Sequence, residues 1–333
     1  MIDLANITKK YKISSTDGLR KKLRYTLHVD ESKYIAALDN ITIHVDEGEI
    51  FGVLGPTGAG KTTLIKIVAG LLIPEQGTAT INGFDSIKDR ENVRTSVNIL
   101  MSGGWVVFDY KLSIYFNLKY WATLGGIPRD DIDDRIDVVL CAVEMEDKKF
   151  ESPEKLSAGM RQKLNLARCL LTDRPIYLLD EPTVNLDPYT ADFIRKYISK
   201  SIRKERKTAL IATHNLWEAE MLCDRIAILD NGTIVVLDEV KKIIQKLGTE
   251  TATLKVVQTP SELMNELTSL EWVESVTKDN DTLMVHGKIK HNVPLLIDVC
   301  RKYTEIKEID IAESSLNEIF LNLIKKKEPH AET

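Results

Sequence analysis

Cysteine is scarce in this chain of 333 residues, and its four cysteines lie far apart. No two of them form a Cys-x-x-Cys pair, so the sequence indicates neither a zinc site nor a disulfide framework. Unpaired cysteines are typical of a reducing compartment, where we expect this protein to work. The four are Cys141, Cys169, Cys223 and Cys300.

Long apolar runs are also missing. The most apolar helical segment, 64–73, is short and contains Lys66, whereas a membrane-spanning helix needs roughly 18 or more apolar residues in succession. The N-terminus carries Asp3 and Asn6 and has no uninterrupted apolar core, so no signal peptide is predicted. We therefore expect a chain that cannot cross a bilayer alone and that stays in the cytosol.

The chain has no excess of positive charge. Lys and Arg number 45 and Asp and Glu number 50, which leaves a net charge of −5. Nothing in this balance favours binding to a nucleic-acid backbone, so we expect no nucleic-acid partner. The composition, 43% hydrophobic and 29% charged, is that of a globular protein, and the length suits two domains.

A glycine-rich loop follows a strongly apolar strand. Ile50–Leu54 is a continuous apolar run suited to a buried strand, and apolar residues at helical spacing follow the loop. Between them, Gly55, Gly60, Lys61 and Thr62 satisfy the pattern G-x-x-x-x-G-K-[ST] in its required context of strand, loop and helix. The sequence therefore predicts a phosphate-binding loop.

This loop predicts the chemistry of nucleotide binding. Its backbone N–H groups and the N-terminus of the following helix would surround the β-phosphate. Lys61 would reach the β and γ oxygens, and Thr62 would offer its hydroxyl to Mg²⁺. The residues expected to contact the nucleotide are Gly55, Pro56, Thr57, Gly58, Ala59, Gly60, Lys61, Thr62 and Thr63.

A second apolar strand ends in two carboxylates. The run Ile-Tyr-Leu-Leu leads directly to Asp180 and Glu181. Ligands of open α/β sheets bind at the carboxyl ends of the strands, so we expect Asp180 to face the Mg²⁺ beside Thr62. Glu181 is then placed to polarise a water for in-line attack on the γ-phosphate. The two strands together predict a nucleotide hydrolase.

Two sequence patterns divide the chain into predicted domains. Residues 1–247 have the pattern of a parallel-sheet α/β domain with a helical block inserted at about 102–171. Asn231-Gly232 predicts a hairpin near the end of this domain. Residues 248–325 follow the order βαββαβ of a small ferredoxin-like α+β domain, and residues 326–333 form a tail. This second domain has no obvious catalytic cluster, so we expect it to have a regulatory or dimer-supporting role.

Five motifs, in order, resemble those of the ABC ATPases. LSAGM at 156–160 lies between the glycine loop and the strand with the two carboxylates, and it resembles the family's LSGGQ signature. TVNLDP at 183–188 is similar to the family's D-loop, and Thr213-His214 after the next strand is similar to its switch histidine. The resemblance implies that ATP is the nucleotide. It also implies a P-loop NTPase fold with a RecA-like core and an inserted helical subdomain.

The resemblance also implies roles for residues outside the glycine loop. Ser157 and Gly159 would meet the γ-phosphate of ATP held by a second nucleotide-binding subunit, identical or different, so that ATP joins two chains head to tail. His214 would contact the γ-phosphate and would act with Glu181 and Lys61 in catalysis.

The segment after the first strand has two further features. Tyr11 fits the position of the family's adenine-stacking aromatic residue, although Tyr25 and Tyr34 compete for that role. Residues 9–24 carry seven Lys or Arg against one Asp. A solvated loop and a surface for lipid headgroups or for another partner of a basic patch both fit this charge.

Two motif positions depart from the family pattern. The family has a glutamine where the helical block begins, which touches Mg²⁺ and water and senses the membrane partner. No Gln lies between Gln76 and Gln162, and Ser102 falls at that position. Met160 replaces the signature glutamine but leaves the serine and glycine that carry the anion contact. The missing glutamine leaves metal coordination and coupling at this position open, and it leaves both a homodimer and a heterodimer compatible with the sequence.

The resemblance implies an ATP-hydrolysing subunit at the cytoplasmic face of a membrane, where it powers a separate transmembrane permease. The C-terminal domain resembles that of ATP-binding subunits of prokaryotic exporters of drugs, antibiotics or envelope polymers, so export is the expected direction. Seven aromatic residues from Trp105 to Trp121 suit either core packing or a groove for a permease helix. The alternatives are a regulatory, sensing or immunity subunit and a soluble ABC ATPase without a transport role.

Overall fold

The computed structural model describes residues 1–12, 34–101, 108–248, 250–313 and 315–325. The predictions for the following positions lie outside these residues: Ser102, Trp105, Tyr25, most of the basic segment 9–24 and the tail 326–333. The chain divides into two compact units, Met1–Asp238 and Glu239–Thr333, and each has its own hydrophobic core.

The described part of the chain contains fourteen strands and eleven α-helices. None of these helices is both long and apolar enough to span a bilayer. The strands are β1 (Ile2–Lys12), β2 (Tyr34–Val45), β3 (Ile50–Leu54), β4 (Gln76–Ile81), β5 (Phe84–Asp85), β6 (Val97–Met101), β7 (Ile176–Asp180), β8 (Thr208–Thr213), β9 (Arg225–Asp230), β10 (Thr233–Glu239), β11 (Glu250–Val256), β12 (Val273–Asp279), β13 (Thr282–Gly287) and β14 (Ile306–Glu313). The helices are α1 (Lys61–Val68), α2 (Arg90–Ser96), α3 (Ile114–Leu124), α4 (Ile132–Ala142), α5 (Ala158–Leu170), α6 (Pro188–Lys204), α7 (Leu216–Leu222), α8 (Val240–Leu247), α9 (Ser261–Thr268), α10 (Val293–Arg301) and α11 (Leu316–Lys325).

A six-stranded sheet of order β10-β9-β3-β8-β7-β6 forms the centre of the first unit. Strands β9, β3, β8, β7 and β6 run parallel, and every residue of β3, β7 and β8 is buried, as expected for a sheet covered on both faces. The register pairs Leu54 with Thr213 and Asp180 with Ala212. The carboxyl ends of β3, β8 and β7 therefore lie side by side, which brings the glycine loop, the two carboxylates and His214 to one edge.

A second, antiparallel sheet of order β2-β1-β4-β5 shares a hydrophobic core with α1 and the six-stranded sheet. Helix α1 ends at Val68, whereas the apolar spacing predicts a helix that continues to Leu72. The chain leaves the helix at Gly70, which has a φ of 65°. The Lys66 carbonyl then accepts hydrogen bonds from the N–H groups of Leu71 and Leu72, an arrangement typical of glycine-terminated helices.

Helices α3, α4 and α5 lie between β6 and β7, where the sequence predicts a helical block. Ser113 caps α3 by accepting a hydrogen bond from the Phe116 N–H at 3.4 Å. Ser157 caps α5 in the same way, from the Met160 N–H at 3.2 Å. The second cap sets the helix start within the LSAGM run.

The second unit contains an antiparallel sheet of order β12-β13-β11-β14, and helices α9 and α10 complete the order βαββαβ. This arrangement confirms the predicted α/β fold with a small ferredoxin-like α+β part. Helix α8 belongs to this unit because it packs on α11 and buries Val240 and Ile243. The compact units therefore divide at 238/239, whereas the sequence places the domain boundary at 247/248.

Candidate active site

A cleft of about 360 Å³ opens at the edge of the sheet where β3, β7 and β8 end. It is lined by Thr57, Gly58, Gly60, Lys61, Thr62, Thr63, Glu181, Val184 and His214. The structure thus brings most of the predicted phosphate loop to the same cleft as two of the predicted catalytic residues. Val184 was not predicted from the sequence.

Gly60 fixes the shape of the loop where it enters α1. Its φ is 104°, and a Cβ there would lie 2.2 Å from the carbonyl oxygen of Ala37. No other residue fits both the backbone conformation and this close approach. The loop is therefore held against strand β2 and leads into the N-terminus of α1, where free N–H groups favour an anion.

The Lys61 ammonium is held inside the loop. It donates hydrogen bonds to the carbonyls of Gly55 at 2.7 Å and Pro56 at 3.1 Å, and its Nζ lies 3.6 Å from Glu181 Oε1. The side chain is only 7% exposed. A buried cation with backbone carbonyls as its closest partners is well placed to bind an incoming phosphate oxygen. Ala59, the remaining loop residue, is buried rather than part of the cleft lining.

Asp180 and Thr62 bring a carboxylate and a hydroxyl together at the edge of the sheet. The Thr62 hydroxyl donates to Asp180 Oδ2 at 2.8 Å, while the buried Oδ1 has no hydrogen-bond partner. Burial raises the pKa of Asp180, the charge of Glu181 adds to the rise, and the Thr62 hydroxyl opposes it. An unpaired, buried carboxylate oxygen beside a hydroxyl fits Mg²⁺, which takes few protein ligands and completes its shell with water and phosphate.

Glu181 is held in a strained position between a cation and an imidazole. Its φ of 50° lies in the left-handed region, a conformation that costs a non-glycine residue about 1–3 kcal/mol and is frequent at functional sites. Its N–H donates to the Ala212 carbonyl at 2.8 Å. Its Oε2 lies 2.8 Å from His214 Nδ1, opposite the Lys61 contact at Oε1. The carboxylate is therefore oriented from both sides and remains accessible from the cleft.

Ser157 and Gly159 do not line this cleft. The Ser157 hydroxyl bonds to its own helix, and Gly159 packs against the start of α6. A Cβ at position 159 would lie 3.0 Å from Thr190 Oγ1 and 3.3 Å from Asp187 Oδ2. A side chain at position 159 would therefore crowd Thr190 and Asp187, a packing constraint within the chain that the sequence pattern does not reveal.

Tyr11 lies near the loop but outside the lining of the cleft. It is 44% exposed at the end of β1, where it pairs with Ile35, two residues from the Ala37 that touches Gly60. Tyr34 is exposed in the adjacent pair of the same two strands. The adenine-stacking role of Tyr11 remains a prediction.

Sequence reasoning missed a buried carboxylate behind the site. Glu218 in α7 is 1% exposed and accepts a hydrogen bond from the Thr183 hydroxyl at 2.7 Å. A single Glu in a short helix gives no signal of burial, because only the fold brings α7 against the loop that follows β7. The TVNLDP run already pointed to that loop.

Known proteins resemble the chain over the first unit and, in some cases, over most of its length. A family model described as ABC transporter matches residues 38–184. The ABC transporter ATP-binding protein NatA of Bacillus subtilis is 34% identical over 62% of this chain and 83% of the relative. The methionine import ATP-binding protein MetN of Carboxydothermus hydrogenoformans is 33% identical over 60% of each chain.

A longer match is to the daunorubicin/doxorubicin resistance ATP-binding protein DrrA of Streptomyces peucetius. It is 28% identical over 86% of this chain and 87% of the relative. Among solved structures, the dimeric structure of MJ0796, a bacterial ABC transporter cassette, superimposes with a TM-score of 0.61 at 25% identity. That match covers 72% of this chain and 98% of the cassette.

Proposed function

This chain belongs to the ABC transporter family of ATP-binding proteins, and from that premise we propose that it powers a separate membrane permease in the direction of export. As a member it binds and hydrolyses ATP. The proposal adds the roles of individual residues, the partner subunits, a place at the cytoplasmic face of the membrane and the direction of transport. The residue roles, the partner subunits and the direction each rest on a different observation, and the place at the membrane follows from the proposed permease partner.

The environment of the two adjacent carboxylates carries the proposed mechanism. Thr62 and Asp180 would hold Mg²⁺, which neutralises charge on the ATP phosphates. Lys61 would bind the β- and γ-phosphate oxygens. Glu181, oriented by Lys61 and His214, would orient and polarise the attacking water, and His214 would steady the γ-phosphate. The pairing of Asp180 with Thr62 leaves Glu181 free for the water.

Replacing Glu181 with Gln tests this division of roles. The variant is expected to bind Mg-ATP with parent affinity, to lose hydrolysis and to form an ATP-dependent dimer. ATPase rate and molecular size, measured with Mg-ATP for the parent and the variant, test the loss of hydrolysis and the dimer, and a titration of Mg-ATP binding tests the affinity. Glu220→Gln changes an exposed carboxylate in α7 and serves as the control. Parent-like hydrolysis by Glu181→Gln would overturn the role of Glu181.

The position of Ser157 and Gly159 supports a second nucleotide-binding subunit. Both lie at the N-terminus of α5 and outside the chain's own cleft, so a contact with ATP would require another chain. The similar MJ0796 cassette is described as dimeric. We propose a head-to-tail dimer around two ATP molecules. A parent chain that stays monomeric and nearly inactive with Mg-ATP would indicate a different chain as its obligate partner.

The extent of the similarity supports export. The match to MetN, named for import, covers 60% of this chain, whereas the match to DrrA, named for drug resistance, covers 86% and so reaches into the second unit. Expression of the chain with its permease should lower cellular accumulation of an exported compound, and Glu181→Gln should abolish that effect. Unchanged accumulation across a panel of drugs and cell-envelope precursors, with the ATPase intact, would favour a regulatory role.

Exposed aromatic residues on α3 and the preceding loop support a docking surface for the permease. Tyr110, Phe116 and Tyr120 are each more than half exposed, whereas the Trp121 ring lies under the Arg168 guanidinium and its indole N–H is buried. Part of the predicted aromatic cluster is therefore packed, and part faces outward. Interfaces are enriched in such aromatic side chains.

A nearby cleft of about 270 Å³ has arginines but no carboxylate among its described lining residues, which include Arg94, Trp121, Leu124, Arg168 and Arg174. An amphipathic permease helix with acidic residues would complement it. Tyr110→Ala and Phe116→Ala should weaken co-purification with the permease, whereas Leu295→Ala, at an exposed apolar site in the second unit, should not. Equal recovery of the permease with all three variants would count against this surface.

A further inference from the structure

Three consecutive residues of the loop after β7 form hydrogen bonds to three different elements, and each of these hydrogen bonds is called a tie below. The Glu181 N–H donates to the Ala212 carbonyl in β8 at 2.8 Å. The Gln162 side chain in α5 donates to the Pro182 carbonyl at 2.9 Å. The Thr183 hydroxyl donates to Glu218 in α7 at 2.7 Å. Each of these hydrogen bonds joins the loop to a different element.

The third tie leads back to the switch histidine. Helix α7 begins at Leu216, two residues after His214, and the Asn215 side chain caps it by accepting from the Glu218 N–H at 3.1 Å. The Asn215 N–H in turn donates to the buried Thr213 hydroxyl at 3.0 Å. Glu218 therefore connects the residue two positions after Glu181 with the turn that carries His214.

Glu218 is an unusual group for this position. It is 1% exposed, and its Oε2 has no hydrogen-bond partner. Burial raises its pKa, and the charge of Glu181 adds to the rise. The hydroxyls of Thr183 and Thr213 and the positive charge of Arg195 oppose the rise in the pKa of Glu218. Burial also raises the pKa of the nearby Cys223 thiol, so this thiol provides no charge that could compensate that of Glu218. The Arg195 guanidinium stacks on the Trp217 ring 4.5 Å away. Burying a carboxylate with only one hydrogen-bonded oxygen costs free energy of folding, so its presence needs an explanation such as a functional role.

We propose that Glu218 is a positioning residue that sets the distance between Glu181 and His214 through its hydrogen bond to Thr183. The inference rests on the proposed roles of Glu181 and His214 in hydrolysis. Without the tie, the loop loses one of its three restraints, and the Glu181 carboxylate no longer stays against the imidazole. Binding of ATP depends mainly on the glycine loop and is retained.

Steady-state kinetics of four variants test this role. Glu218→Ala and Thr183→Val should each lower kcat roughly tenfold, the effect of losing one buried hydrogen bond, with little change in the KM for ATP. Glu218→Gln keeps an acceptor for the Thr183 hydroxyl and should retain a kcat close to that of the parent. The double variant Glu218→Ala/Thr183→Val should be no slower than either single variant, because both remove the same contact.

Two controls separate this role from a general effect on folding and from the proposed function. Glu220→Ala, at an exposed position of the same helix, should behave as the parent, and thermal unfolding of every variant is measured beside the kinetics. Parent-like kcat in a folded Glu218→Ala would overturn the proposal, as would a loss in Glu218→Gln equal to that in Glu218→Ala. If Glu181→Gln itself retains hydrolysis, the proposed function fails, whatever Glu218 does.

Discussion

Asp180 and Glu181 are neighbours in the chain but have different environments. Asp180 is the last residue of a buried strand, and one of its oxygens is unpaired beside the Thr62 hydroxyl. Glu181 has turned into the left-handed region, and its carboxylate lies between Lys61 and His214. The change in backbone direction at Glu181 gives the two carboxylates different neighbours, which supports the separate roles proposed for them in metal binding and activation of water.

Removal of His214 should affect the rate rather than binding. His214→Ala deletes the imidazole that lies 2.8 Å from Glu181 Oε2, so Glu181 loses one of the two groups that orient it. We expect kcat to fall by about a hundredfold while the KM for ATP stays near that of the parent. A titration of ATP binding by fluorescence, run beside the kinetics, checks the second point. A large loss of ATP affinity with an unchanged kcat would be inconsistent with this role.

The protonation of Glu218 should make stability depend on pH. Burial raises the pKa of Glu218, so between its ordinary value in the unfolded chain and its raised value the folded state holds more protons than the unfolded state. The free energy of unfolding therefore falls as pH rises through that range. Glu218→Gln removes this pH-dependent loss of stability. At pH values above the range, its free energy of unfolding should therefore exceed that of the parent. Urea unfolding at a series of pH values measures the difference, and identical pH profiles for the two proteins would contradict it.

At the scale of elements, the start of α5 combines an observed helix cap with a proposed contact to ATP. Ser157 caps the helix, which is a structural role, and it is also the residue proposed to contact ATP in a second subunit. Ser113 caps α3 through the same kind of hydrogen bond but has no proposed ATP contact. This pair of caps allows the structural and the functional role of Ser157 to be separated.

Ser157→Ala and Ser113→Ala should lose similar stability but differ in activity. Each removes an N-cap, which costs about 1 kcal/mol. We expect Ser157→Ala alone to weaken ATP-dependent dimerisation and to lower the ATPase rate. Chemical unfolding, analytical ultracentrifugation and ATPase assays on both variants provide the comparison. A similar loss of ATPase in Ser113→Ala would show that the effect comes from the stability of the helical block.

At the scale of the whole molecule, the described lining of the cleft lies entirely between Thr57 and His214. The second unit contributes none of these residues, and α8 packs within that unit. A chain that ends at Glu239 should therefore keep the ATPase site. A chain that ends at Gly248 retains α8 without the unit that covers its apolar residues Val240 and Ile243.

Both truncated chains should hydrolyse ATP at the rate of the full chain when the protein concentration is high enough for dimers. Limited trypsin digestion should cut the longer one rapidly at Lys241, Lys242 or Lys246, which are protected in the full chain because α8 is packed there. Mass spectrometry of the fragments identifies the sites. Loss of ATPase in the chain that ends at Glu239, at every protein concentration, would instead assign the second unit a necessary part in catalysis.

Several features could be predicted from the sequence because neighbouring residues determine them. The glycine loop needs particular residue types within nine positions, and the hairpin at Asn231-Gly232 needs two adjacent residues that accept positive φ. Apolar periodicity was sufficient to predict the order βαββαβ. These local patterns correctly predicted the fold class, and the resemblance of five short motifs to those of the ABC ATPases correctly predicted the family.

Other features depended on the tertiary structure, because they join residues that are distant in the chain. The order and register of β3, β8 and β7 place Glu181 against His214, 33 residues away, and no periodicity encodes that register. Burial of Glu218 against Thr183 and the packing of α8 with the second unit arise in the same way. Amphipathic patterns show which face of an element is buried. Only the assembled fold shows which partner covers it, and the roles proposed for Asp180, Glu181 and Glu218 follow from those partners.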